Sequence, residues 1–290
     1  MLFHVSSHLE YEVKFPSSLI LNIHAQRNSG QTILEESFTV TPNIKAEEFP
    51  LDNGMNRFLR METGDEKKIV IDYAAIVECT FDILPTSELD ATTISELDPT
   101  AIPFLFPSRY CQSDLLDRLA WDLFGKIAKP YEKVNAIVDW IHKNVEYVRG
   151  TTTAITSAYD TVTQRTGVCR DFAHLGIALC RALDIPARYV SAYAYQLDPP
   201  DFHAVFECHL GGRWILFDAT RLAPLNGLVR IGVSRDASDG AVACIFGEAQ
   251  CTAMNVSCML VEGQTFTPLA KTHLLRRDIP LESSHAAATD

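Results

Sequence analysis

The chain lacks any apolar run long enough to cross a bilayer. Its longest stretch without Asp, Glu, Lys or Arg runs only from Ala249 to Val261, against the roughly 20 mostly apolar residues of a spanning helix. No membrane partner is expected. Positive charge is also scarce, with 25 Lys and Arg against 37 Asp and Glu and a net charge of −12, so a nucleic-acid-binding face would work against the overall field. Nucleic acid is therefore excluded as a partner. Glycine and proline number 14 each among 290 residues, below their usual share of about 12% together, which excludes collagen-like and low-complexity chains. Met1 to Glu10 shows no basic start followed by an apolar block, so no secretory signal is read there and a cytoplasmic location is expected.

Several chemical signatures are missing as well. There is no C-x-x-C, H-E-x-x-H or EF-hand loop, so structural zinc, zinc-protease and that calcium chemistry lack their ligand spacing. G-x-S-x-G, the Walker P-loop and G-x-G-x-x-G are likewise absent, which removes the usual serine-hydrolase, NTPase and dinucleotide signals. No metal and no cofactor is expected. Eight cysteines without an export signal read as thiols rather than as a disulfide framework.

What is present is a globular composition, 47% apolar and 21% charged, in a chain whose length suits two domains of ordinary size. Leu9, Tyr11, Val13 and Phe15 alternate with charged residues, the period of a half-buried strand. Further strand patterns at Leu19–Ala25, Ile33–Val40, Arg57–Glu62 and Lys68–Thr80 are separated by turn signals such as Asp52-Asn53-Gly54. Residues 1–85 are thus expected to form a β-sandwich. Pro85, Pro99, Pro103 and Pro107 mark 86–112 as an extended surface linker. From Leu115 the apolar spacing becomes helical, continues past Pro130, and is followed by a polar connection from Gly150 to Gln164. A helix is read through Phe172, Leu175, Leu179 and Leu183, with Pro186 closing it. Five strand patterns follow, at Ala187–Tyr195, His203–Leu210, Arg213–Asp218, Ala241–Phe246 and Met254–Val261. Residues 113–264 make the second domain, and 265–290 a loosely held tail.

The chemistry lies in this second half. Cys169 stands in the first turn of its helix, where unpaired N–H groups favour a thiolate. Leu210-Gly211-Gly212-Arg213 reads as a tight hairpin. If residue 210 pairs with 213, Asp218 faces Val205 and shares its side of the sheet with His203, a diagonal neighbour at about 7–8 Å. An aspartate there would orient and charge the imidazole, leaving the other nitrogen for a thiol. Taken singly, each residue has a plainer reading, as a buried cysteine, a satisfied histidine and a turn aspartate. Cys244, Cys251 and Cys258 recur every seven residues, but that step reverses a strand face each time, so they are assigned to packing.

The run TGVCRDFAHLGIALCRALDIPARYV, then FHAVFE, then RWILFDAT resembles the bacterial transglutaminase-like family of papain-like thiol enzymes. The match covers residues 114–222. The resemblance implies an α+β chain, an amino-terminal β-sandwich followed by a papain-like transglutaminase core whose central helix packs on an antiparallel sheet. It makes Cys169 the nucleophile, His203 the general base and Asp218 the residue that orients the histidine; Glu207 also fits the pattern. The reaction implied is thiol-dependent hydrolysis or acyl transfer at an amide carbonyl of a peptide or protein substrate. Calcium activation is not implied. Val205 stands where many relatives have tryptophan, and no upstream tryptophan serves as a second oxyanion donor, so Gln164, Tyr159 and Thr156 are the candidates beside the Cys169 N–H. The alternative is a peptide- or protein-binding module on the same fold without turnover. A redox pair of Cys169 with Cys180 is excluded by their separation of about 16 Å along a helix.

Overall fold

The structure is a computed structural model that describes residues 1–51, 56–84, 89, 92–269 and 274–275. Six strands open the chain: β1 (Leu2–Val13), β2 (Ser18–Leu21), β3 (Gln31–Thr41), β4 (Ala46–Leu51), β5 (Asn56–Glu62) and β6 (Lys68–Cys79). In β1 and β6 every second residue is buried, Phe3, Val5, Leu9 and Tyr11 in the one and Ile69, Ile71, Tyr73 and Val77 in the other, so each strand gives one face to a shared core. β4 escapes the sequence patterns because it is an edge strand carrying Glu47, Glu48 and Pro50, residues that edges tolerate. The turn signal Asp52-Asn53-Gly54 and Pro85 lie outside the described residues.

After a short β7 (Asp82–Ile83), the proline-bearing segment does not lie wholly extended. Among its described residues are two 3-10 turns, and Leu97, Ala101 and Cys111 are buried. Next come α1 (Ser113–Phe124), α2 (Pro130–Asn144) with proline in its first turn, β8 (Glu146–Tyr147), α3 (Ala158–Gln164), β9 (Thr166–Gly167) and α4 (Cys169–Arg181). α3 arises inside the connection expected to be polar and irregular, because Asp160 accepts from both the N–H and the hydroxyl of Ser157 and so closes the first turn. α4 is buried on every side from Asp171 to Arg181. It lies against β10 (Ala187–Ala194) and β11 (Phe202–Leu210), two strands of an antiparallel sheet that continues with β12 (Arg213–Phe217) on one side and β13 (Leu228–Ser234) on the other.

The last elements are α5 (Ala237–Gly240), β14 (Ala243–Phe246), β15 (Ala249–Leu260) and β16 (Leu274–Leu275). β14 and β15, grouped with the second domain by the sequence, leave it. β14 pairs with β2, and β15 pairs with β1 along its whole length. The two amino-terminal sheets therefore run β15-β1-β6-β3 and β14-β2-β5-β4, while β16 and β7 extend the core sheet beyond β12. Alternation marks which face of a strand is buried and says nothing about its neighbour.

Buried amides join the two halves. β13 is an edge strand, and its outward backbone groups are met by side chains of the sandwich. Gln31 donates to the Arg230 carbonyl at 2.8 Å and accepts from its N–H at 2.8 Å, and Asn56 does the same for Val233 at 2.6 and 2.8 Å. An edge that would otherwise expose or orphan its polar groups is thereby satisfied. Among the described residues, no helix is long and apolar enough to cross a membrane. The part of the expected tail beyond residue 275 lies outside the described residues.

Candidate active site

α4 begins at Cys169 because the chain just before it is held on two sides. β8 and β9 run parallel, with Tyr147 beside Gly167, and Val148 N–H donates to the Gly167 carbonyl at 2.9 Å. Asp171 then caps the turn by accepting from Val168 N–H at 2.8 Å, and the Thr152 hydroxyl donates to the same oxygen. A Cβ at residue 167 would stand 2.7 Å from the Asp171 Cβ, so a side chain there would push the cap aside. The half-buried Cys169 thus stands at the first residue of a buried helix, the end that carries the helix's partial positive charge.

His203 comes from the start of β11 and Asp218 from the residue after β12. The hairpin pairs Leu210 with Arg213 and Phe206 with Phe217, the register read from the double glycine, so Asp218 follows on the side of His203. His203 Nε2 is 2.9 Å from Asp218 Oδ2. The other carboxylate oxygen accepts from Thr220 N–H at 2.8 Å and from its hydroxyl at 2.7 Å, which fixes the plane of the group. Both residues are buried. Burial pulls the imidazole pKa down, but the charge and hydrogen bond of Asp218 prevail, and with Cys169 adding to them the value rises to about 10. Asp218 moves the other way, since the His203 charge and the Thr220 bonds overcome its desolvation. His203 Nδ1 is buried and has no hydrogen-bond partner. The three residues singled out in the sequence are thus brought together, His203 bonded to Asp218 and close enough to Cys169 for the thiol to act on its protonation.

Tyr147 is a site residue that the sequence did not reveal. Its ring packs on Phe172 with centroids 5.9 Å apart. Burial, and after it the neighbouring Cys169, raises the pKa of its hydroxyl to about 12. No spacing rule announces it, because its place depends on the parallel pairing of two dipeptide strands. Asp201, just before β11, also lies near His203, and burial raises its pKa against the nearby charges of Arg149 and His203.

The sequence candidates for a second oxyanion donor are elsewhere engaged or exposed. Thr156 Oγ1 accepts from Thr153 N–H at 2.9 Å, and Tyr159 and Gln164 lie exposed on α3. Glu207 is buried away from the thiol, 2.8 Å from Arg188 and paired also with Arg230. His174 is a core residue between the rings of Tyr110 and Tyr189; it accepts from Ala237 N–H, and burial lowers its pKa to about 3. Cys180 packs against Cys208, sulfur to sulfur 3.5 Å. Cys244 and Cys251 lie on different sheets, and Cys258 is buried opposite Val5.

Residues 1–100 match the family described as the bacterial transglutaminase N-terminal domain, and residues 117–219 match the transglutaminase-like superfamily. Among solved structures, the chain is similar to a candidate cysteine protease from Cytophaga hutchinsonii, with 51% identity, a TM-score of 0.91, and coverage of 95% of this chain and 96% of that one. An uncharacterised protein of Mycobacterium leprae is 28% identical over 204 residues, 59% of this chain and 72% of that protein. One of Mycobacterium tuberculosis is 39% identical over 69 residues, which is 24% of this chain and 22% of that protein. With a β-rich amino-terminal part, a buried helix set on an antiparallel sheet, and these matches along both halves, the chain belongs to the bacterial transglutaminase-like family.

Proposed function

We propose that the protein is a thiol enzyme that cleaves or transfers an amide-linked acyl group of a peptide or protein. The observation that carries this reading is the bridging position of His203, held by Asp218 through Nε2 while the buried Nδ1 is left without a partner beside Cys169. Cys169 attacks the carbonyl carbon, and His203 gives its proton to the departing amine. His203 then takes a proton from the incoming water or amine as the thioester is resolved. Asp218 holds the ring in one orientation and stabilises its charged form. Water is the proposed acceptor, being always present.

The test is a screen of peptide amides and glutamine-containing peptides, with and without a primary amine, following ammonia or amine release. Release by the wild type that disappears in Cys169→Ala supports the reading. Equal release by both proteins overturns it and leaves a peptide-binding module.

A further inference from the structure

We infer that Arg109 and Arg170 form a carboxylate-binding subsite beside Cys169, and that the substrates are peptides bearing a carboxylate close to the reacting amide. The inference rests on the reading of the protein as a thiol acyl enzyme and names a substrate class for it. The two guanidinium carbons lie 5.0 and 5.6 Å from the centre of one ring, that of Tyr110. That ring is held in place, stacked on His174 with centroids 5.1 Å apart and planes 9° apart, while its hydroxyl donates to the Ala154 carbonyl at 2.7 Å. Arg170 follows the nucleophile in the first turn of α4 and donates to the Thr153 carbonyl. Since Thr152 is also bonded to Asp171, residues 152–154 are fastened both to that turn and to Tyr110. Both cations therefore belong to one packed rim that includes Cys169.

Charge sets this pair apart. The chain is strongly acidic, at −12, and arginines elsewhere in it are met by carboxylates: Arg57 by Glu36 and Glu48, Arg188 and Arg230 by Glu207. Arg109 is exposed, and among the described residues no carboxylate lies within ion-pair distance of it. Arg170 has Asp171 Oδ1 at 4.0 Å, while the other oxygen of that carboxylate is engaged in the helix cap. Its Nε is buried without a hydrogen-bond partner. Two like charges gathered on one ring repel each other, and an arriving anion relieves that repulsion. A guanidinium fork matches the two oxygens of a carboxylate. Stacking on Tyr110 restrains both side chains beforehand, so less freedom is lost on binding. Because Arg170 adjoins the nucleophile, the bound carboxylate belongs within two or three residues of the reacting carbonyl, at about 3.4 Å of extended chain per residue.

The test uses short acetylated alanine peptides with one central glutamine, carrying Asp or its neutral twin Asn one, two or three residues to either side, with the C-terminus free or amidated. Binding is measured by calorimetry on Cys169→Ala, which lacks the nucleophile, with and without Arg109→Gln, a substitution on the surface whose fold is checked by its melting curve. The inference expects an acidic peptide of one placement to bind at least about tenfold more tightly than its neutral twin, the usual scale of hydrogen bonds to a charged group. Arg109→Gln should bring the two within about twofold, and added salt should narrow the gap. An advantage tied to Asp assigns a side-chain carboxylate; one tied to the free C-terminus assigns the chain end. With Cys169 present, the same preference is expected in KM. Acidic and neutral peptides binding equally would overturn the inference, as would a preference that survives Arg109→Gln. Carboxylate-dependent binding without any release of ammonia or amine above Cys169→Ala would sink the acyl-enzyme reading alone, and keep the subsite as part of a peptide-binding module.

Discussion

The ring of Phe206 lies directly against Gly176, so close that a Cβ on that glycine would stand 2.6 Å from it. Phe206 is itself stacked on Phe217, with centroids 5.8 Å apart, and has little room to retreat. This contact sets how closely α4 approaches β11, and so how far the thiol at the start of the helix stands from the imidazole at the start of the strand.

Gly176→Ala should therefore destabilise the protein, although alanine is the better helix former by roughly 0.5–1 kcal/mol. Overpacking a close-packed core costs about 1–3 kcal/mol, so a net loss of about 1–2 kcal/mol is expected in denaturant titration. A more stable variant would show that the helix and strand can separate freely.

The His203–Asp218 pair makes a signed pH prediction. A histidine raised above its ordinary value adds stability that is fully present below about pH 6.5 and is lost as pH rises through its folded value of about 10. Asp218, lowered, adds stability above the ordinary carboxylate range that is lost as pH falls through its folded pKa. The difference in Tm between wild type and Asp218→Asn should be widest between these limits and narrow toward both extremes. In the variant the His203 ring, still buried but without its carboxylate, should titrate well below its wild-type value in an NMR titration, and acyl transfer should slow by up to about 10⁴-fold.

Iodoacetamide near pH 6 should label Cys169 before the other thiols. Cys251 is exposed and Cys244 half-buried, yet burial raises the pKa of both and keeps them protonated, while a protonated His203 beside Cys169 offers a counter-charge to a thiolate. Peptide mass spectrometry after brief labelling gives the order; Cys251 reacting first would contradict the charged pair.

Glu207→Gln should cost about 3–5 kcal/mol, the usual penalty for breaking a buried ion pair from one side. Glu207 and both its arginines are buried, and Arg188 stacks over Trp214 at 4.1 Å; the variant leaves two buried guanidinium charges facing a neutral amide. Chemical denaturation measures the loss, and a change under 1 kcal/mol would mean that water or other partners replace the carboxylate.

Local order was legible from the residues alone. The period of two in β1, the apolar spacing through Phe172, Leu175 and Leu179 in α4 and the double glycine of the β11–β12 hairpin are properties of neighbouring positions, and a hairpin of known loop parity fixes which residues share a face. That is why Asp218 could be placed on the His203 side, and Cys169 at a helix start, before any coordinates. The partners of β14 and β15, the pairing of β8 with β9, and with it the position of Tyr147 at the thiol, were decided only in three dimensions. A strand pattern encodes burial, whereas the choice of neighbour is made by contacts between residues far apart in the chain. The same holds for Gln31 and Asn56, two ordinary polar residues in sequence that become structural because an edge strand more than 170 positions away brings its unpaired backbone to them.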